Sequence, residues 1–276
     1  MDLLLRRNQA FSYDDGTDAL IDRSITKANI QSATIGDYAF DGCANLESIN
    51  APNCTTINSY AFRNNSLLKY VNFPNLNIVK NYAFEGCISL EDFDFSNLTT
   101  VATYSFCKCS KIESVCLTSA TSVGEACFRG SGVKTLVLPV AKYAVNRLTN
   151  PVGTSSGYSA SKLECLDLGE TVTNFSTNAL RNNTLLTTIV LRCTSRNGIW
   201  GGTGVFTDTP FASGGAGGTI YIPKALYDHL GDGSSSDYLA NTNWATINGY
   251  GTITWASIEG SQYEHYYADG TPIPSS

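Results

Sequence analysis

Cys107 and Cys109 form a C-x-C pair, a spacing at which two thiolates can share a metal ion. His229 and His265 are the only two histidines, which makes them the candidates for acid–base work near neutral pH. His229 sits with Asp232 and Asp237 in "YDHLGDGSSSD". The acidic strings "YDDGTD" (13–18) and "GDGSSSD" (231–237) offer oxygens of the kind calcium takes, without the full ligand set of a calcium loop. Asx-turns account for the same residues. "GGTG" (201–204) and "SGGAGG" (213–218) are glycine-rich, yet no strand-to-helix phosphate cradle follows either one. No serine or cysteine stands in a nucleophile-elbow context. The residues therefore read as a chain with no catalytic residue, no cofactor and no metal. An enzyme or metal site around His229, Asp232 and Asp237 is the remote alternative, because a Gly- and Ser-rich loop does little to preorganise them.

The elements that would have to position any site are repeats. At an offset of 22 residues, positions 40, 62, 84, 106 and 128 are all phenylalanine. Positions 38, 60, 82 and 104 are tyrosine, and 35, 57, 79, 101 and 123 read Ile, Ile, Val, Val, Val. Asp37, Ser59, Asn81 and Thr103 suit the cap of a short helical or 3₁₀ turn. Gly42, Asn64, Gly86, Lys108 and Gly130 take the place of the left-handed residue that ends it. The phenylalanine column is expected to point inward, beside the small residues Ala39, Ala61, Ala83, Ser105 and Cys127.

After each turn the apolar period changes to two, which predicts one short strand per repeat. Ile49 and Ala51, Val71 and Phe73, Phe93 and Phe95, Val115 and Leu117 form its inner face. Ser48 and Asn50, Tyr70 and Asn72, Asp92 and Asp94, Ser114 and Cys116 form its outer face. Beyond residue 130 the register loosens, but 133–139, 163–169, 186–192 and 218–224 continue the pattern, so eight strands are expected. The insertions 140–162 and 193–217 read as loops, places where a rigid scaffold often carries function. After 224 come a short helix, a polar loop and a cap that lays Trp244 and Trp255 over the last repeat; the final "YADGTPIPSS" reads as loose.

Composition narrows the partners. The 276 residues are 42% hydrophobic but only 15% charged, which describes a folded chain rather than a disordered one. The net charge of −6 and pI near 4.9 disfavour a nucleic-acid partner. No apolar run reaches the roughly 18 residues of a membrane span. The start "MDLLLRRNQAFSYDDG" lacks a long apolar region, so no signal peptide is legible. That leaves a cytosolic chain, one whose export signal was removed, or one exported by another route.

Nine cysteines would suggest bridges outside the cell, but Cys43, Cys87 and Cys109 share one column with Asn65. A buried thiol there acts as a small hydrophobe, and Asn65 is expected to satisfy backbone groups of adjacent turns. Reduced, structural thiols follow, with Cys87 and Cys109 as the pair to check for a bridge. The column pattern turns Cys107 outward with Arg63, Glu85 and Arg129 while Cys109 points in, which argues against a shared metal.

The pattern "IGDYAFDGCANLESINAP", repeated at 22, resembles the BspA-like (treponemal-type) leucine-rich repeat family over roughly residues 28–223. The ending "TPFASGGAGGTIYIPKALYDHL" is similar to the segment that follows such repeats in bacterial and phage-borne members. The resemblance implies a curved, right-handed leucine-rich-repeat-like solenoid that acts by binding, often in adhesion at a cell surface, with no catalytic residues. The expected organisation is an N-terminal cap (1–27), the solenoid (28–223) and a C-terminal cap with its tail (224–276). The expected function is recognition of a protein or glycan through the sheet face and insertion loops, with Tyr70, Asn72, Asp92, Asp94 and Ser114 as candidate contacts. The expected location is extracellular or at the bacterial surface; the alternative is a tail or receptor-binding component of a phage virion.

Overall fold

The structure is a computed structural model that describes residues 2–5, 24–139, 161–170, 174–175, 179–192, 200–201, 205–212, 214–234 and 253–263. Residues 13–18, Trp244, Asp237, His265, the closing "YADGTPIPSS", 140–160 of the first insertion and 193–199, 202–204 and 213 of the second lie outside the described residues.

Successive repeats stack as a leucine-rich repeat fold of parallel strands. Ser48 pairs with Tyr70, Ile49 with Val71 and Asn50 with Asn72, a register that advances by the sequence repeat. One sheet runs in the order Asp2–Leu5, Lys27–Ile30, Ser48–Asn50, Tyr70–Asn72. A second begins at Ser114–Cys116 and continues through Thr135–Leu138, Cys165–Leu168, Thr188–Leu191, Gly218–Ile222 and Ile253–Ser257. The strand expected at 92–95 is reduced to a single bridge between Tyr70 and Asp92. Phe93 puts a ring where its neighbours place Ile49, Val71 and Val115, and it packs 5.3 Å from Phe84 and 4.9 Å from Phe106. The interruption falls at that bulkier side chain.

Each early repeat also carries a second strand that the alternation did not reveal. Thr34–Ile35, Thr56–Ile57, Ile78–Val79, Thr100–Val101 and Ser122–Val123 form a five-stranded parallel sheet. Its inner residues are the Ile and Val column at 35, 57, 79, 101 and 123. Two residues are too few for a period of two to be legible.

The third side of each repeat is a chain of turns, not the helical turn expected from Asp37 and its equivalents. Ala39, Asp41 and Cys43 donate within the turn to Gly36, Tyr38 and Phe40, while Tyr38, Phe40 and Gly42 donate to Ser59, Ala61 and Arg63 of the next repeat. A helix would keep all these N–H groups to itself; here every second one ties two repeats together. Asp37 follows the same logic, accepting at 2.9 Å from Ser59 N of the next repeat. Gly42, Asn64, Gly86, Lys108 and Gly130 do adopt positive φ, between 61° and 77°. Among the described residues the one α-helix is Lys224–Tyr227.

The core is a continuous spine. Phe40, Phe62, Phe84, Phe106 and Phe128 are fully buried, with consecutive rings 5.2, 5.2, 5.2 and 5.7 Å apart and within 15° of parallel. Leu46, Leu68, Leu90 and Ile112 line the same interior. Trp255, on Ile253–Ser257, packs against it half-buried.

Candidate partner-binding face

The outward side chains of the strands make one long face, and its two halves differ. In the first half Lys27, Ser48, Tyr70 and Asp92 stand in register, with Asn29, Asn50 and Asn72 beside them. Asn72 Nδ2 donates to Asn50 Oδ1 at 2.7 Å, and Asn50 Nδ2 to Asn29 Oδ1 at 3.1 Å. This amide ladder fixes the orientation of side chains that would otherwise rotate freely; reading the polar columns at the offset of 22 would have found the Asn50–Asn72 rung but not Asn29, which stands 21 residues before Asn50. Tyr70 is 61% exposed, an unusual position for an aromatic ring on a sheet. The Lys69 ammonium lies 5.2 Å from its ring centroid and 2.7 Å from Glu91. Asp92 and Asp94 are exposed beside it. Asp94 is tied to its own turn, accepting from Ser96 N at 2.9 Å and from Ser96 Oγ at 2.6 Å. Tyr70, Asn72, Asp92 and Asp94 thus share one open surface, while Ser114 stands at the first strand of the second sheet, across the interruption.

In the second half part of the outer face is covered by the chain itself. Val190 and Asp167 are fully buried, under a segment that turns back after Ile253–Ser257 and sets Ile258 and Tyr263 over Val190, Cys165 and Tyr221. The Tyr221 and Tyr263 rings meet edge to face at 4.8 Å. Beneath them Arg192 holds Asp167 with two bonds, Nε to Oδ1 at 3.0 Å and Nη2 to Oδ2 at 2.8 Å. Burial pushes the Asp167 carboxyl up to about 6 against the pull of Arg192.

The residues singled out for chemistry are dispersed. His229 Nδ1 lies 2.6 Å from Asp232 Oδ2 on an exposed loop, and the bonds from Ser234, with a smaller contribution from His229, hold Asp232 down at about 2. Among the described residues no group of three His, Cys, Asp or Glu side chains converges as a metal site requires.

The eight described cysteines are free. Cys87 Sγ donates to Phe62 O at 3.1 Å and Cys109 Sγ to Phe84 O at 3.2 Å, so each thiol serves a carbonyl of the preceding repeat rather than a bridge. Cys107 does not face outward as the column suggested. It is buried, with Glu85, Lys108 and Arg129 close enough to act on it electrostatically, and desolvation pushes its thiol up to about 12. Arg129, itself buried, reaches Tyr104 Oη at 3.3 Å rather than extending into solvent. Asn65 departs from expectation too: it is fully buried, yet neither atom of its amide has a hydrogen-bond partner.

Residues 33–151 match the family profile described as "BspA type Leucine rich repeat region", with six copies. Among solved structures, a leucine-rich cell surface protein from Faecalibacterium prausnitzii is similar at 19% identity with a TM-score of 0.41, over 72% of this chain and 60% of that one. The chain therefore spans about three-fifths of that protein's length. A leucine-rich repeat protein from Bacteroides ovatus is similar at 14% identity and a TM-score of 0.27, over 89% of this chain and 94% of that one. The pneumococcal vaccine antigen PcpA is similar at 16% identity and 0.26, over 78% and 66%. No curated protein sequence matches the chain.

Proposed function

From a solenoid whose residues 33–151 are BspA-type leucine-rich repeats, we propose a non-catalytic recognition and adhesion module that holds a protein partner on the open half of its outer face. The observation that carries this reading is Tyr70. An amphipathic ring at 61% exposure, flanked by Lys69, Asp92 and an oriented amide ladder, has the chemistry that dominates protein interfaces: an aromatic anchor with satisfied polar groups around it. Asp94 completes the acidic edge, and Ser114 lies at its margin. The partial cover over the second half leaves the first as the more open surface, which supports this reading.

Display at a bacterial surface fits the same reading. Buried thiols such as Cys54, pushed up to about 11, and Cys107, pushed up to about 12, offer little thiolate to oxidants. The experiment is a binding comparison of the wild-type chain with Tyr70→Ala/Asp92→Ala against purified extracellular proteins. Both substitutions are at exposed side chains, so stability is retained and loss of affinity reports the contact itself.

A further inference from the structure

We propose a second binding site, on the flank of the solenoid rather than on its outer sheet face, that takes a neutral, hydroxyl-rich ligand: a glycan chain. Between the two strands of successive repeats runs an open cleft of about 400 Å³ lined by Asn53, Thr55, Pro74, Asn75, Asn77 and Asn97. Asn53, Asn75 and Asn97 recur at the repeat offset, so they line up along the solenoid, one per turn. With neighbouring strands about 4.8 Å apart, they recur at roughly that interval.

The amides of this cleft are anchored through Nδ2, Asn75, Asn77 and Asn97 each by one of its two N–H groups, and their acceptors are open. Asn75 Nδ2 donates to Pro52 O at 2.7 Å, Asn97 Nδ2 to Pro74 O at 3.2 Å, and Asn53 Nδ2 to Gln31 O and Oε1 at 3.5 and 3.4 Å. Asn77 Nδ2 donates to Asn97 O at 3.3 Å, and Thr55 Oγ1 to Ala33 O at 3.2 Å. Each bond fixes the plane of its amide, and no group among the described residues donates to the Oδ1 atoms of Asn53, Asn75, Asn77 or Asn97. The result is a row of held amide edges, each with an open acceptor and, at Asn75, Asn77 and Asn97, a second N–H to give, preorganised at little further entropic cost on binding.

That inventory selects the ligand class. The lining contains no Asp, Glu, Lys or Arg, so nothing there compensates a phosphate, a sulfate or a cation. It contains no aromatic or branched aliphatic side chain, so an apolar ligand finds no wall except the Pro74 ring. A peptide strand advances about 3.3 Å per residue, out of step with amides that recur at about 4.8 Å. A sugar hydroxyl both donates and accepts, so it suits an amide edge that offers Oδ1 and N–H together, while a sugar C–H face can lie on Pro74. A polymer of such units running along the solenoid meets one acceptor per turn.

The test uses the full chain and titrates it, by isothermal calorimetry and by NMR, with hexasaccharides of glucose, mannose, galactose and N-acetylglucosamine, their sulfated counterparts, and a blocked neutral hexapeptide. At least one neutral hexasaccharide is expected to bind. Asn75→Ala, which removes an acceptor, and Asn77→Arg, which fills the cleft, are each expected to weaken that binding about tenfold, the effect of one or two lost hydrogen bonds. Thermal melts keep misfolding separate from loss of contact, and Asn77→Arg leaves the Asn75–Pro52 tie in place. Tyr70→Ala/Asp92→Ala is expected to leave sugar binding unchanged, so this site and the sheet face fail or stand independently. Absence of any binding at millimolar sugar, binding confined to sulfated sugars, cleft-dependent binding of the peptide, or sugar binding lost only in the face variant would each overturn the proposal.

Discussion

Tyr38, Tyr60, Tyr82 and Tyr104 hold φ between 57° and 61°, a region where a side chain with a Cβ costs roughly 1–2 kcal/mol. Their rings repay part of that cost. They stack 4.7, 4.9 and 4.9 Å apart within 4° of parallel, and the Arg63 guanidinium sits 4.8 Å from the Tyr60 centroid while gripping Asp41 in a bidentate pair. The glycine and asparagine positions of the turn were legible because those residue types announce a left-handed backbone; the tyrosines were not, because nothing in their chemistry does. Asn65 is the opposite case, a polar residue whose column argued for satisfied bonds it does not make. Replacing it with the thiol that its neighbours carry, Asn65→Cys, is expected to raise stability by about 1–3 kcal/mol in urea denaturation, the penalty of a buried unpaired amide. A fall in the urea midpoint would contradict an unpaired amide at this position.

Elements are held together mainly by the phenylalanine spine. Phe84 lies 5.2 Å from both Phe62 and Phe106 and meets Phe93 edge-on at 5.3 Å, so its loss opens a cavity in mid-stack. Phe84→Ala is expected to cost about 3–5 kcal/mol, and a melting temperature indistinguishable from wild type would count against a continuous core. The other test at this scale is the Asp167–Arg192 pair. Arg192→Met alone leaves a buried carboxylate without its cation and is expected to cost about 3–5 kcal/mol, whereas Asp167→Leu/Arg192→Met together should be near neutral or stabilising.

Its pH signature has a definite sign. The folded carboxyl titrates near 6, above its ordinary value of 3.8, so the folded state holds the extra proton between the two. The contribution is present below about 4, is lost as pH rises towards 6, and is flat above. The stability difference between the wild-type chain and the double variant should fall across that window. The repeating strand was legible from its alternation at 48–51 and 70–73. The covering segment 253–263 was not, since it belongs to no repeated column.

For the whole molecule, what matters is which surface remains open once the chain has covered itself. The sheet interruption at Phe93 separates an exposed, polar half bearing Tyr70, Asn72, Asp92 and Asp94 from a half in which Ile258 and Tyr263 cover Cys165, Val190 and Tyr221. Period-two reading put the four candidate contacts on the outer face, since alternation alone decides which side of a strand a residue occupies. It gave no means of separating Ser114 from them, because Phe93, where the pairing breaks, is as apolar as the Ile and Val of its column and leaves the alternation unchanged. The most direct measurement is the affinity of the wild-type chain and of Tyr70→Ala/Asp92→Ala for an array of purified extracellular proteins, read beside the melting temperature of each. The account predicts a partner whose affinity falls about tenfold or more in the variant while the melting temperature stays within a degree or so, the loss of a central aromatic contact without loss of fold. A partner bound equally well by both would contradict it.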